Sequence, residues 1–327
     1  MKDNDKRKMS ALVRLIIFGV AAAMLCGVLV WAIRDNTRFS GFFDGEFSLG
    51  ITGDYYKDGD KYSIGGGSVD AEGVKYIDID WTSGSVDIVP AQGVGRSSDG
   101  AIIFTETSEG ELGEENMLRW YKSGDTLYIK IWKSGMIFGI SSRPRKSLTV
   151  TVPDILFDKL NVESVSASIS CGAVNVGKLD FSTTSGDISI NGAASNEVET
   201  DTVSGKVYAS GITASDIECD SVSGDVDVNG TVTDFKASTV SGEVSLYTDT
   251  PLTSGKISTT SGDVSLTIPE ISVFKLNYDT VSGGTRIALP TSYENGKYYS
   301  VNAESGNDAA DISVDTVSGS LTVDKSN

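Results

Sequence analysis

Along residues 75–325 the apolar positions alternate with polar ones in short runs, and one such run recurs. Its frame is T-[VT]-S-G-[DEK]-[VI]-x-[VIL], with the Gly at Gly186, Gly205, Gly224, Gly242, Gly262, Gly283 and Gly319, spaced 19, 19, 18, 20, 21 and 36 residues apart. Ala167 holds that place in NVESVSASISC, and YIDIDWTSGSVDI is a further copy centred on Gly84, which makes nine. Seven and five positions before the Gly stand apolar pairs such as Ile77 and Ile79, Leu179 and Phe181, Ile312 and Val314. Two and four positions after it stand Val86 and Ile88, Ile188 and Ile190, Leu321 and Val323. Each half alternates with period 2, as a half-buried strand does.

The parity of the alternation flips across Ser-Gly, so the chain must turn there. A Gly at such a corner supplies a positive φ without steric cost. Each copy therefore predicts a strand, a Ser-Gly corner, a second strand and a return loop marked by Gly192, Gly211 or Gly230. Stacking coils of about 19 residues buries one continuous column of Val, Ile and Leu. An antiparallel sandwich also gives short strands with regular turns, but it does not require the same offset to be apolar in copy after copy. The pattern predicts an all-β chain: a parallel β-solenoid over 75–327. Two insertions break the period. Residues 89–153 carry the strand-like stretches AIIFT, LYIKIW and SLTVTVP and predict a β cap on one end. Residues 290–310 predict an inserted loop or hairpin.

Upstream, Leu15 to Ile33 is a run of 19 residues without a charge. At about 1.5 Å per residue it spans about 28 Å, the thickness of a bilayer's hydrocarbon. Lys2, Lys6, Arg7, Lys8 and Arg14 precede it, and positive charge favours the cytoplasmic side. The run exceeds a signal-peptide core and no good cleavage site follows. Leu25 before Cys26 argues against a lipoprotein signal. The expectation is a cytoplasmic tail (1–14), one transmembrane helix (15–33) acting as a retained signal anchor, and a flexible juxtamembrane linker (34–74). The rest then lies outside the cell membrane.

Composition narrows the chemistry. The chain has 327 residues, a net charge of −18, 3 Cys and no His. Residues 1–38 carry seven basic and three acidic groups, net +4, which leaves −22 for the remainder. That acidity argues against nucleic acid. Without His, the Ser-His-Asp triad, the Cys-His dyad and the HExxH zinc helix are all excluded. The cysteines form no CxxC pair. Cys171 and Cys219 fall on inward columns two coils apart, about 10 Å at strand spacing, too far for a disulfide. No catalytic, cofactor or metal residues are expected.

The T-V-S-G-D-V-x-V copies, the early IDIDWTSGSVDIVP strand and the TVTVP strand resemble the bacterial "putative adhesin" family, a domain of unknown function built on β-strand repeats. The resemblance covers about 75–327. It implies an N-terminal single-pass anchor, and some members resemble companions of envelope-stress signalling systems. The family has no agreed catalytic residues, so it transfers no site.

Four features could carry contacts. Asp187, Lys206, Asp225, Glu243 and Asp263 follow the corner Gly; a Ca²⁺ ladder is one reading and solvated corner charges the other. The Ser-Gly corners could line a glycan groove, although turn geometry already accounts for them. Tyr293, Tyr298 and Tyr299 sit on an insertion, where repeat proteins often bind. Trp132 with Arg143, Arg145 and Lys146 forms a basic, aromatic stretch that could face an anionic polymer or lipid, or could seal the stack. The function expected is a non-enzymatic interaction, adhesin or scaffold module of the envelope, with an envelope protein or wall polymer as partner. The alternatives are a regulator of envelope stress acting through a membrane partner, and a polysaccharide-acting enzyme built on clustered carboxylates.

Overall fold

The computed structural model describes residues 59–91, 100–131, 145–300 and 309–326. The expected tail and transmembrane run, Leu15–Ile33, lie outside the described residues. Among the described residues no helix is long and apolar enough to cross a membrane. The strands in chain order are β1 (Ser63–Ile64), β2 (Gly67–Asp70), β3 (Tyr76–Pro90), β4 (Ala101–Ser108), β5 (Arg119–Ser123), β6 (Thr126–Lys130) and β7 (Lys146–Val152). Next come β8 (Phe157–Cys171), β9 (Asn175–Thr183), β10 (Ile188–Asn191), β11 (Ala194–Thr202), β12 (Val207–Ser221), β13 (Val226–Thr239), β14 (Val244–Thr248), β15 (Ser254–Thr259) and β16 (Val264–Pro269). The last are β17 (Phe274–Thr280), β18 (Thr285–Ile287), β19 (Thr291–Glu294), β20 (Lys297–Ser300), β21 (Ala310–Thr316) and β22 (Leu321–Ser326).

Parallel in-register pairing stacks the copies as the solenoid requires. Each rung has a long leg before the corner and a short leg after it. Along the long legs Thr200 pairs with Cys219, Cys219 with Ala237 and Ala237 with Ile257. Along the short legs Ile188 pairs with Val207, Val207 with Val226 and Val226 with Val244. The inward columns fuse into one core that includes Ile77, Leu160, Phe181, Ile217, Phe235 and Val314.

Rung order departs from chain order at both ends. β6 and β7 form a rung of their own outside β3, pairing Leu127 with Ile77 and Leu148 with Val86, and β8 stacks on the other side of β3. At the far end β21 lies between β15 and β17, and β22 between β16 and β18. The last copy in sequence is thus the last but one in space. The insertion at 89–153 is a rung as well as a cap.

Antiparallel strands close the ends. β5 covers β6, β4 covers β7, and β2 and β1 add to β4 and β5. At the other end β20 covers β17 and β19 pairs with β20, the hairpin turning at Asn295 (φ 49°) and Gly296 (φ 84°). A bare parallel edge would template further strands, and these pairings blunt it.

Three expectations need correction. Residues 63–74, read as linker, belong to the fold: Val69, Ala71 and Val74 are buried. Gly67 lies against the Trp120 and Phe104 rings, where a Cβ would come within 3.1–3.2 Å of them, so the Gly run makes room for aromatics. Among the stacked corner glycines only Gly84 has a left-handed φ (100°). The others are Gly because a Cβ would overlap the carbonyl oxygen of the rung beneath: Gly205 over Gly186, Gly224 over Gly205, Gly319 over Gly262. Close approach, rather than φ, excludes the side chain. Finally, Cys171 and Cys219 are free and buried, but they lie on different legs and three rungs apart, not two. Burial alone raises the Cys171 thiol to about 12, and burial chiefly raises Cys219 to about 12.

Candidate interaction surface

The corners hold themselves together. Thr183, Thr202, Ser221, Thr239 and Thr259 accept the N–H of the Gly three residues on through their hydroxyl oxygens, at 2.8–3.1 Å. This is why a small hydroxyl residue recurs at a buried position. The Ser before the Gly donates to the rung beneath at several corners, as Ser204 does to the Thr184 carbonyl (3.4 Å) and Ser223 to that of Val203 (3.2 Å).

The acidic residues after the Gly are similarly engaged. Asp187 Oδ1 accepts the Lys206 N–H (2.8 Å), Asp225 Oδ1 that of Glu243 (3.2 Å) and Asp263 Oδ1 that of Ser320 (2.7 Å). The Lys206 ammonium also donates to Asp225 Oδ2 at 2.7 Å and holds that carboxyl below its ordinary value. Among the described residues no group of three or more acidic, Cys or His side chains is placed to hold a metal.

The two outer faces differ in charge. On the long legs the outward positions carry Asp78, Asp80, Glu163, Asp180, Glu199, Asp201, Glu218 and Asp220. Lysines bridge rungs across this face. Lys159 meets Asp180 at 2.6 Å, Lys178 meets Glu199 at 2.6 Å and Glu197 at 2.9 Å, and Lys236 meets Glu218 at 3.4 Å. One column keeps uncompensated carboxylates: Asp201 stands in register with Asp220. Burial first, and then Asp220, Glu199, Asp180 and Glu218, push Asp201 up to about 7. Burial, followed by the charge of Asp80, pushes Glu163 up to about 7.

The short legs present hydroxyls, amides and phenols instead. Over the central rungs their first outward column stacks Ser170, Ser189, Tyr208, Asp227, Ser245 and Ser265, and it runs on to Asp87 and Thr149 at one end and to Thr322 and Arg286 at the other. The next stacks Asn191, Ser210, Asn229, Tyr247 and Thr267 and ends on Asp324. Asp227 is the single charge in these central rungs; Asp87 lies at one end of the columns, and Arg286 and Asp324 pair at the other (3.2 Å). Tyr208 is 45% exposed and Tyr247 37%. Neither tyrosine stands out in the sequence by itself. Their signal is their offset, three and five residues past a corner Gly, which puts both on the outside of one sheet.

The sequence candidates separate. Tyr293 is 63% exposed at the tip strand β19, with its ring 4.7 Å from that of Tyr298. Tyr298 and Tyr299 are half-buried on β20, and Tyr298 packs on the core. Trp132 and Arg143 lie outside the described residues. Arg145 is exposed at the opposite end of the stack. Lys146 is not a surface residue at all: it is 3% exposed. Its ammonium lies 2.9 Å from Glu106 Oε2, donates to the carbonyls of Asn116 (2.5 Å) and Ile131, and sits 5.1 Å from the Trp81 ring centre. The cap needs a cation to meet the buried Glu106, which also accepts the Leu118 N–H at 2.8 Å.

A ladder of stacked copies running from Ile77 to Val323, with the resemblance already noted, meets its counterpart in the family comparison. Residues 74–324 match the model of the Toastrack DUF4097 family. The chain belongs to that family. The match accords with the resemblance carried by the T-V-S-G-D-V-x-V copies. None of the curated proteins matches the chain.

Three solved structures are similar over most of its length. A "putative cell adhesion protein" from Clostridium sporogenes is 9% identical, over 81% of this chain and 100% of that one, with a TM-score of 0.21. A "putative lipid binding protein" from Parabacteroides distasonis is 18% identical, over 81% and 97%, with a TM-score of 0.45. A "putative adhesin" from Bacteroides fragilis is 12% identical, over 80% and 97%, with a TM-score of 0.36.

Proposed function

We propose that this Toastrack chain is a single-pass membrane protein whose β-solenoid stands outside the bacterial cell membrane as a non-enzymatic interaction module of the envelope. The N-terminus lies in the cytoplasm, and the 19-residue uncharged run from Leu15 to Ile33 is the anchor. The observation that carries the reading is the architecture: a stack of rungs with antiparallel strands at both ends and two broad, regular, solvent-facing sheets of different chemistry. Such a body offers extended area rather than an enclosed site, and repeat stacks of this kind lend themselves to extended binding surfaces.

The test is crosslinking and pull-down of the intact protein from native membranes. Recovery of wall polymer supports the adhesive form of the reading. Reproducible recovery of one membrane protein supports the regulatory form, in which signalling passes through that partner. Turnover of envelope glycans by the purified protein contradicts the non-enzymatic reading.

A further inference from the structure

We infer that the outer face of the short legs is a binding surface for an extended, uncharged glycan, with Tyr208 and Tyr247 as its stacking platforms. The inference rests on the reading of the stack as an interaction module and assigns its ligand class and surface. The charge distribution comes first. A chain with 45 acidic and 27 basic residues keeps two columns on the short legs whose central rungs hold Asp227 as their one charge, with Asp87 at one end, Arg286 and Asp324 paired at the other, and the corner charges along one side, while the long-leg face is packed with carboxylates. A polyanion is repelled by such a body and a polycation is drawn to the long legs. An anionic membrane surface calls for a cluster of basic or apolar side chains, whereas the cations of this face, Lys206 and Arg286, stand apart and are each paired with a carboxylate.

What the face does present is the chemistry that meets a sugar. Ser, Thr and Asn side chains both donate and accept hydrogen bonds, as ring hydroxyls do. One amide is already oriented: Asn191 Nδ2 donates to Ser189 Oγ at 3.0 Å. Tyrosine adds a flat apolar ring with a polar tip, suited to lie against the C–H face of a pyranose.

Geometry selects a polymer. Tyr208 pairs in register with Asp227, and Asn229, two residues further on, pairs with Tyr247. The tyrosines are therefore two rungs and two residues apart. With about 4.8 Å between strands and about 3.3 Å per residue, the offset is about 10 Å across the rungs and 7 Å along them. One ligand touching both must span more than a single ring, and it lies on an open sheet rather than in a cleft.

The experiment uses the full chain in detergent micelles and affinity electrophoresis through gels containing hydroxyethylcellulose, galactomannan or alginate. The expected result is retardation by at least one of the two uncharged polymers, independent of salt, and none by the anionic alginate. Tyr208→Ala and Tyr247→Ala each weaken binding several-fold and together by about tenfold or more. Glu218→Gln on the other face leaves binding unchanged. Circular dichroism checks that every variant keeps its strands. Failure of both uncharged polymers to retard the chain overturns the inference, as does a double variant that binds like the parent. Self-association abolished by the same two substitutions also overturns it, because the face is then an interface between copies. Partner binding that survives both Tyr changes but is lost with the Tyr293 hairpin sinks this inference and leaves the interaction-module reading standing.

Discussion

A corner glycine in this stack is a contact point between two backbones. Gly205→Ala should therefore cost about 3 kcal/mol or more through overpacking, with Tm falling by several degrees. Gly211→Ala is the control: Gly211 is left-handed (φ 61°) with only backbone atoms 3.9–4.0 Å away, so the cost should be near 1 kcal/mol. Equal losses by thermal melting would restore the φ explanation. The glycine period is plain in the sequence, but its cause is not, because a rung's neighbour appears only once copies stack. Lys146 teaches the same lesson from the other side. It reads as one of several cations in a basic stretch until Glu106 and Trp81 close around it. Lys146→Ala leaves a carboxylate only 7% exposed without its cation and should cost about 3–5 kcal/mol. Lys146→Met with Glu106→Leu should recover most of that loss in denaturant melts; failure to recover would assign Lys146 some other role.

Individual strands were the most legible elements, because inward positions repeat at fixed offsets from Ser-Gly. Their order in space was not legible. Every copy has the same alternation, so any rung fits beside any other, and only connection length tells where each lands. The spacing of 36 registers that something intervenes before Gly319, without saying that the final copy returns inside its predecessor. The rung made by β6 and β7 escaped because its Ser134-Gly135 is followed by MIFGISSRPRK instead of an alternating half, so Leu127 and Ile129 read as one strand and Leu148 and Val150 as another. This order has a consequence for the last strand of the chain. Terminal strands ordinarily fray, but β22 is held between β16 and β18. Hydrogen exchange should show Leu321 and Val323 amides protected to the same order as those of Val244 and Leu246. Protection lower by several orders of magnitude would contradict the inserted arrangement.

For the whole molecule, the sequence shows strong acidity beyond residue 38, and the fold gathers much of it on the long-leg face. The sorting has a pH signature. Asp201 and Glu163 ordinarily titrate near 3.8 and 4.5, and the fold holds both near 7. Between those values the unfolded chain has released protons that the folded chain retains. Their contribution to stability therefore falls as pH rises from about 4 to about 7 and levels off above. Urea melts should show a lower midpoint at pH 8 than at pH 5.5, with Asp201→Asn flattening part of that slope and raising the midpoint at pH 8. A midpoint that rises across this interval would reverse the sign.

The proposed anchor places the two-faced stack outside the cell membrane, and that placement is directly measurable. Cys171 and Cys219 are buried, with thiols pushed up to about 12; with Cys26 of the proposed anchor replaced by Ala, they supply a quiet background for labelling. Thr213 is exposed on the stack. With Thr213→Cys introduced, a membrane-impermeant maleimide applied to intact cells should modify the variant and leave the parent chain unmodified. Modification of the variant only after the membrane is permeabilised would place the stack in the cytoplasm and contradict the account.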